Sequence, residues 1–128
     1  MKTEVTNLIE IGSNNEFTHK QADIYSYEIV GKSISEGNIF LGVAASCGCT
    51  STLVEVQNTV EGSDVEYLAY KAGTPIIPGQ GFRVSGSLSR TGDGSRETGT
   101  YTKAVTFTAT NASKEDQKIK AIFKIHVV

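Results

Sequence analysis

The chain has only two cysteines and two histidines, and it lacks the short motifs that mark common catalytic sites. A Gly-x-Ser-x-Gly elbow, a His-Glu-x-x-His pair and a phosphate-binding loop are all missing. The chain therefore offers few side chains for a nucleophile–base pair, and its cysteines and histidines together number only the four that a zinc site needs. We therefore predict that the protein is not an enzyme and binds no cofactor.

A strong excess of positive charge is also missing. The chain has 12 Lys and Arg residues against 14 Asp and Glu, and its formal net charge is −2. No short stretch concentrates basic residues, whereas nucleic-acid binding relies on a basic surface. We predict no nucleic-acid partner.

Long apolar runs are absent as well. No run approaches the roughly 18 residues of a membrane-spanning helix. The segment Met1–Asn7 has no apolar stretch of the kind that a secretory signal peptide needs. We expect no membrane partner, synthesis in the cytoplasm and reduced thiols inside a cell.

What the sequence does contain is alternation of apolar and polar residues, with almost no helical periodicity. Tyr25, Tyr27 and Ile29 share one face of such a segment, and later segments alternate apolar residues with threonines or with lysines. At 128 residues, the chain suits one domain, 1–128, built as an all-β sandwich. Strands are predicted at Leu8–Ile11, Asp23–Val30, Asn38–Ala45, Thr52–Gln57, Val65–Tyr70, Phe82–Ser89, Tyr101–Thr110 and Lys118–Val127.

Two segments exceed what a minimal sandwich needs. Thr52–Gln57 and Val65–Tyr70 flank a turn at Asn58–Asp64 and predict one extra hairpin. Ser89–Thr100 is rich in glycine and charge and predicts a long loop.

The two cysteines stand one residue apart, as Cys47-Gly48-Cys49. A disulfide at this spacing is strained, and only His19 and His126 are available as further zinc ligands. We interpret the cysteines as small residues that close a strand at the rim of the sandwich. The alternatives are a metal site and a reactive thiol or intermolecular disulfide. His126 falls on the polar side of the last strand, and His19 is predicted to be solvated in a polar stretch between strands.

The order of the segments resembles a known family. The specific part is an apolar strand that runs into Ser46-Cys47-Gly48-Cys49-Thr50, and the weaker parts are Ile9–Gly12, Ser26–Gly31, Ile77–Gln80, Thr102–Asn111 and Ile119–Val128. Together they resemble a family of bacterial immunoglobulin-like domains of unknown function, related to major sperm protein and Hydin-type domains. The resemblance implies an immunoglobulin-like antiparallel β-sandwich without catalytic residues.

The chain departs from this family in having no export signal and in its enlarged segments Thr50–Pro78 and Arg90–Thr100. We therefore expect an auxiliary component of a tailed-phage virion that docks on a capsid or neck protein. The alternatives are a cellular protein-binding module, cytoplasmic or exported, and a metal- or redox-responsive protein that uses Cys47 and Cys49. The predicted partner contacts lie on the hairpin and in the loop, at Val54, Val56, Tyr67, Tyr70, Asp93 and Arg96.

Overall fold

A computed structural model of the protein describes residues 7–12, 15–45, 52–58, 66–88 and 96–128. These ranges contain nine strands and no helix. The strands are β1 (Ile9–Ile11), β2 (Glu16–His19), β3 (Tyr25–Ser33), β4 (Ile39–Ala45), β5 (Leu53–Gln57), β6 (Tyr67–Ala69), β7 (Gly81–Leu88), β8 (Gly99–Asn111) and β9 (Asp116–Val127). Within the same ranges, no helix is long and apolar enough to span a membrane.

The strands form two sheets that share one core. One sheet has five strands in the order β1-β3-β7-β5-β6, and the other has four in the order β2-β9-β8-β4. This arrangement confirms the predicted all-β sandwich. The chain changes sheets between β1 and β2, and β2 pairs with β9 in parallel, from Glu16 opposite Lys124 to His19 opposite Val127. That pairing is the one parallel pairing among the described strands, and all the others are antiparallel.

Strand β2 corrects one prediction. His19 was expected in a solvated stretch between strands, but it is the last residue of β2 and is half-buried. Its Nε2 lies 2.8 Å from the Ser26 carbonyl oxygen. Since that oxygen can only accept a hydrogen bond, Nε2 carries the proton. Phe17 is the one large apolar residue of β2, so the segment takes its strand form from pairing with β9 and not from its own periodicity.

The core follows the alternation of the sequence. Tyr25, Tyr27 and Ile29 of β3 are buried, as predicted. The ring of Phe82 on β7 lies 5.8 Å from that of Phe107 on β8, centroid to centroid, so aromatic residues meet across the two sheets. The other fully buried side chains of β8 and β9 include Val105, Ala109, Ile125 and Val127.

The predicted extra hairpin is present. β5 and β6 pair in antiparallel fashion, with Glu55 opposite Ala69 and Gln57 opposite Tyr67. β5 also pairs with β7, so it lies inside the five-stranded sheet and β6 forms the edge. The backbone N–H of Asn58 donates to the Glu66 carbonyl oxygen at 2.8 Å, which holds the two ends of the connecting segment together.

The segment 70–76, which follows β6 and which we call the strap, connects the five-stranded sheet to β4 of the other sheet. Ile76 forms an isolated bridge with Ile39 at the start of β4. The Tyr70 hydroxyl donates to the Thr74 carbonyl oxygen at 2.7 Å and accepts the Leu41 N–H at 3.2 Å. The strap therefore covers part of the β4 edge, which would otherwise expose unpaired backbone groups.

Candidate docking surface

The predicted contact residues of the hairpin fall on opposite faces of the sheet. Val54, Val56 and Tyr70 are partly buried and pack against the core. Val54 and Val56 face the core, so the next residue of β5, Gln57, faces outward. Tyr67 is paired with Gln57, and its side chain therefore lies on the outer face as well. Partner contact at these residues stays a prediction, and their burial favours a packing role for the first three.

Arg96 and Asp93 belong to the predicted loop. The Arg96 backbone N–H donates to the Tyr25 hydroxyl at 2.9 Å, and the Gln21 side chain donates to the Arg96 carbonyl oxygen at 3.0 Å. Arg96 is thus tied to the turn that precedes β3. Asp93 lies outside the described residues, as do Ser46, Cys47, Gly48, Cys49 and Thr50, so their predicted roles stay predictions.

Arg83 lies on the outer face of the five-stranded sheet and contacts side chains of three neighbouring strands. It stands in the middle strand, β7, between Val30 of β3 and Glu55 of β5. Its Nε donates to Glu55 Oε1 at 2.9 Å, and a terminal guanidinium nitrogen lies 3.6 Å from Glu28 Oε2. The hydrogen bond to Glu55, together with the attraction of both carboxylates, raises the pKa of Arg83.

The Arg83 guanidinium also packs on the ring of Tyr67, one of the predicted contact residues. Its central carbon lies 4.0 Å from the centroid of the Tyr67 ring, which is the geometry of a cation–π contact. Sequence reasoning did not identify Arg83. The available signal was that Arg83 is the one charged residue in the strand Gly81–Leu88.

Exposed apolar residues lie around this cation. On the outer face, Leu53 is 52% exposed and Val30 is 38% exposed. We call the set Val30, Leu53, Glu55, Tyr67 and Arg83 the Arg83 face. An arginine and a tyrosine amid apolar side chains is the composition of energetically important interface residues.

A groove of about 390 Å³ borders Tyr67 on the same sheet. Its lining includes Gln57, Gly81 and the ion pair of Lys32 with Glu10, in which Nζ and Oε1 are 3.4 Å apart. A Cβ on Gly81 would lie 2.6 Å from the Gln57 side-chain oxygen, so glycine makes room for that side chain. Gln57 is fixed in turn, since its side-chain oxygen accepts the Gly81 N–H at 3.1 Å.

Neither histidine lines this groove. His126 is half-buried on the outer side of β9, where Nδ1 is 2.9 Å from Thr100 Oγ1 and Nε2 is 3.0 Å from Glu16 Oε1. Among the described residues, no group of three or more His, Cys, Asp or Glu side chains is placed to hold a metal ion.

No family model and no curated protein sequence matches the chain, so the resemblance to the family with the Ser-Cys-Gly-Cys-Thr motif stays a prediction. Solved structures do match. The chain is similar to the ASH/PapD-like domain 7 of human CEP192, with 11% identity, a TM-score of 0.58, and coverage of 100% of this chain and 90% of that one.

It is also similar to AggA, the major subunit of aggregative adherence fimbriae type I from Escherichia coli. Here the identity is 12%, the TM-score 0.53, and the coverage 100% of this chain and 99% of that one. A family 123 glycoside hydrolase from Clostridium perfringens matches with 12% identity and a TM-score of 0.60, over 96% of this chain and 27% of that one. At these identities the likeness shows the fold, a PapD-like or immunoglobulin-like β-sandwich.

Proposed function

We propose that this chain is a non-enzymatic structural module that docks on a repeating protein assembly through its Arg83 face. The observation that carries the proposal is the contact of Arg83 with Tyr67, 4.0 Å from the ring centroid, on an exposed sheet face. The ring is already oriented by Arg83, and Arg83 by Glu55, so little side-chain freedom is lost on binding. Preorganised aromatic and arginine side chains of this kind supply much of the affinity of protein interfaces.

The assembly that we propose is the shell or neck of a tailed-phage virion, on which the chain is an auxiliary component made in the host cytoplasm. The fimbrial subunit AggA supports a role in an assembly, because it has a similar sandwich and is by its name a subunit of a fimbria. Each docked copy would present the Arg83 face to one subunit, so the number of bound copies would follow the symmetry of the particle.

The rival is a cellular module that binds a single protein. It would use the same face, and the PapD-like domain of CEP192 shows that a comparable sandwich occurs in a cellular protein. The two functions differ in the size of the complex that forms.

The test is gentle sedimentation of the native protein from its source, followed by identification of the chains that travel with it. Sedimentation with a particle that carries many copies of one shell or neck subunit is the expected result. A complex of two small proteins would support the cellular module, and a chain that sediments alone would contradict both.

A further inference from the structure

The outer face of the four-stranded sheet pairs a row of threonines with a row of lysines. On β8, alternate residues from Thr100 to Thr110 point outward, and in the register of the sheet they lie opposite the outward residues of β9. Residues two apart in a strand are about 7 Å apart, so the basic row extends over about 20 Å. We call this surface the lysine–threonine face; it comprises Thr100, Thr102, Thr106, Thr108, Thr110, Lys118, Lys120, Ile122, Lys124 and His126.

The lysines of this face are available to a partner. Lys118, Lys120 and Lys124 are exposed, and within the described residues none of them forms an ion pair. The opposite sheet behaves differently, since Lys32 pairs with Glu10 and Arg83 pairs with Glu55 and Glu28 on their own face. The positive charge of the five-stranded sheet is thus neutralised locally, whereas that of the lysine row is not.

The two carboxylates beside the lysine row are engaged elsewhere. Glu16 of β2 lies opposite Lys124, but its Oε1 is 3.0 Å from His126 Nε2. Asp116 is buried at the other end of the face, and its Oδ1 accepts the Thr110 hydroxyl at 2.7 Å. Neither carboxylate is positioned in the middle of the row.

An apolar centre favours a protein as the occupant. Ile122 is 53% exposed between Lys120 and Lys124, and its neighbour across the sheet, Ala104, is too small to cover it. An apolar centre within a polar rim is the usual anatomy of a protein interface. Polyanions such as single-stranded nucleic acid are bound by aromatic and arginine side chains as well as charge. The described part of this face has no arginine; of its aromatic rings, His126 is engaged by Thr100 and Glu16, and Phe40 of β4 lies at the far end, opposite Thr110.

We propose that the lysine–threonine face is a second docking surface, which binds an acidic protein surface with an apolar centre. Carboxylates of the partner would pair with Lys118, Lys120 and Lys124, and an apolar side chain would pack on Ile122. The hydroxyls of Thr102, Thr106 and Thr108 would donate and accept hydrogen bonds along the edge of the contact. A second copy of the chain fits poorly, because Glu10, Glu28 and Glu55 of its other face are already paired with Lys32 and Arg83.

The proposal is tested with a defined probe, a soluble peptide of alternating Glu and Val residues, and with four variants, one of which is Ile122→Thr. The first variant is Lys118→Glu/Lys120→Glu/Lys124→Glu, and the second replaces the same lysines by Gln so that charge is removed without being reversed. The matched control is Lys20→Glu/Lys71→Glu/Lys114→Glu, which makes the same change of net charge on turns outside the face. Thermal unfolding of each variant checks that the fold is retained.

We expect the peptide to bind the wild type and the control within twofold of each other. The Gln variant should bind at least tenfold more weakly, the Glu variant should show no binding, and Ile122→Thr should weaken binding severalfold with the charge unchanged. Equal weakening by the control, or no effect of Ile122→Thr, would overturn the proposal. So would tighter binding of oligo-dT or heparin than of the peptide, which would make the face a polyanion site, or self-association that the Glu variant abolishes.

Discussion

The ring of Tyr27 stacks on the ring of Phe123, with centroids 4.4 Å apart and planes inclined by 22°. Tyr27 belongs to β3 and Phe123 to β9, so the stack joins the two sheets at the centre of the core. Phe17 of β2 adds an edge-to-face contact to Phe123, with a centroid distance of 6.2 Å. One buried ring therefore links β3 of one sheet with β9 and β2 of the other.

Replacing Phe123 by Ala should lower the free energy of unfolding by about 3–5 kcal/mol, because it leaves a cavity where three aromatic rings meet. Phe40→Ala is the matched control, since Phe40 is 41% exposed on the outer side of β4. The control should cost about 1 kcal/mol or less. Urea unfolding measures both values, and similar losses in the two variants would contradict the described packing.

The side chain of Gln117 on β9 forms hydrogen bonds with the backbone at the start of β1. Its Oε1 accepts the backbone N–H groups of Leu8 and Ile9, each at 2.8 Å, and all three residues are buried. Gln117→Met keeps the volume but leaves two buried donors unsatisfied, so we expect a loss of about 2–4 kcal/mol. In this variant, amide hydrogen exchange at Leu8 and Ile9 should accelerate more, relative to the wild type, than exchange in the centre of β3. The exposed Gln21→Met is the control, and unchanged exchange at Leu8 would disprove the role of Gln117.

Removing the buried hydroxyl of Ser33 should not lower the free energy of unfolding. Ser33 is 1% exposed, opposite Ile9 of β1, and its hydroxyl has no hydrogen-bond partner among the described residues. Burying an unsatisfied hydroxyl costs free energy, so Ser33→Ala should leave stability unchanged or raise it by about 1 kcal/mol. A chemical denaturation curve decides the matter, and a loss above about 1 kcal/mol would show that the hydroxyl is satisfied.

Tyr27 should also give the protein a pH dependence at high pH. Burial raises the pKa of its phenol from 10.0 to about 12. In the unfolded chain the phenol titrates near its ordinary pKa of about 10, so between roughly pH 10 and 12 the folded state binds the proton that the unfolded state has lost. The stability contributed by the neutral phenol is therefore complete below pH 10 and decreases as pH rises toward 12.

The measurement is the free energy of unfolding of wild type and Tyr27→Phe across this interval. Because Phe has no phenol proton, the variant should lose stability less steeply above pH 10. Between pH 7 and 9 the difference between the two proteins should be constant. Parallel curves above pH 10 would show that Tyr27 is not the group responsible.

The strands of the core were predictable because their alternation is long and regular. Tyr25, Tyr27 and Ile29, and the apolar positions of β8 and β9, mark their own inner faces. β2 was missed because Phe17 alone cannot establish a period, and because its partner β9 is more than 100 residues away in the chain. A contact of that range adds pairing energy that local propensity does not contain.

The candidate surfaces were only partly predictable. The alternation in β5 separates Val54 and Val56 from Glu55, but it does not say which set faces the core. The partnership of Arg83 with Tyr67 depends on β5 lying between β6 and β7, which is a property of the sheet order. The lysine row is different, because Lys118, Lys120 and Lys124 lie on one strand and their alternation with apolar residues already puts them on one face. What depends on the sheet is that the threonines of β8 lie beside them.

The proposed function requires that Tyr67 and Arg83 form a docking surface. The most direct measurement is the fraction of Tyr67→Ala chain that reassociates with the particle or partner recovered from the native source. Ile24→Ala is the control, since Ile24 is 70% exposed in the segment before β3 and outside the Arg83 face. We predict that Tyr67→Ala binds at least tenfold more weakly while the control binds like the wild type. Equal binding of all three chains would show that Tyr67 takes no part in docking.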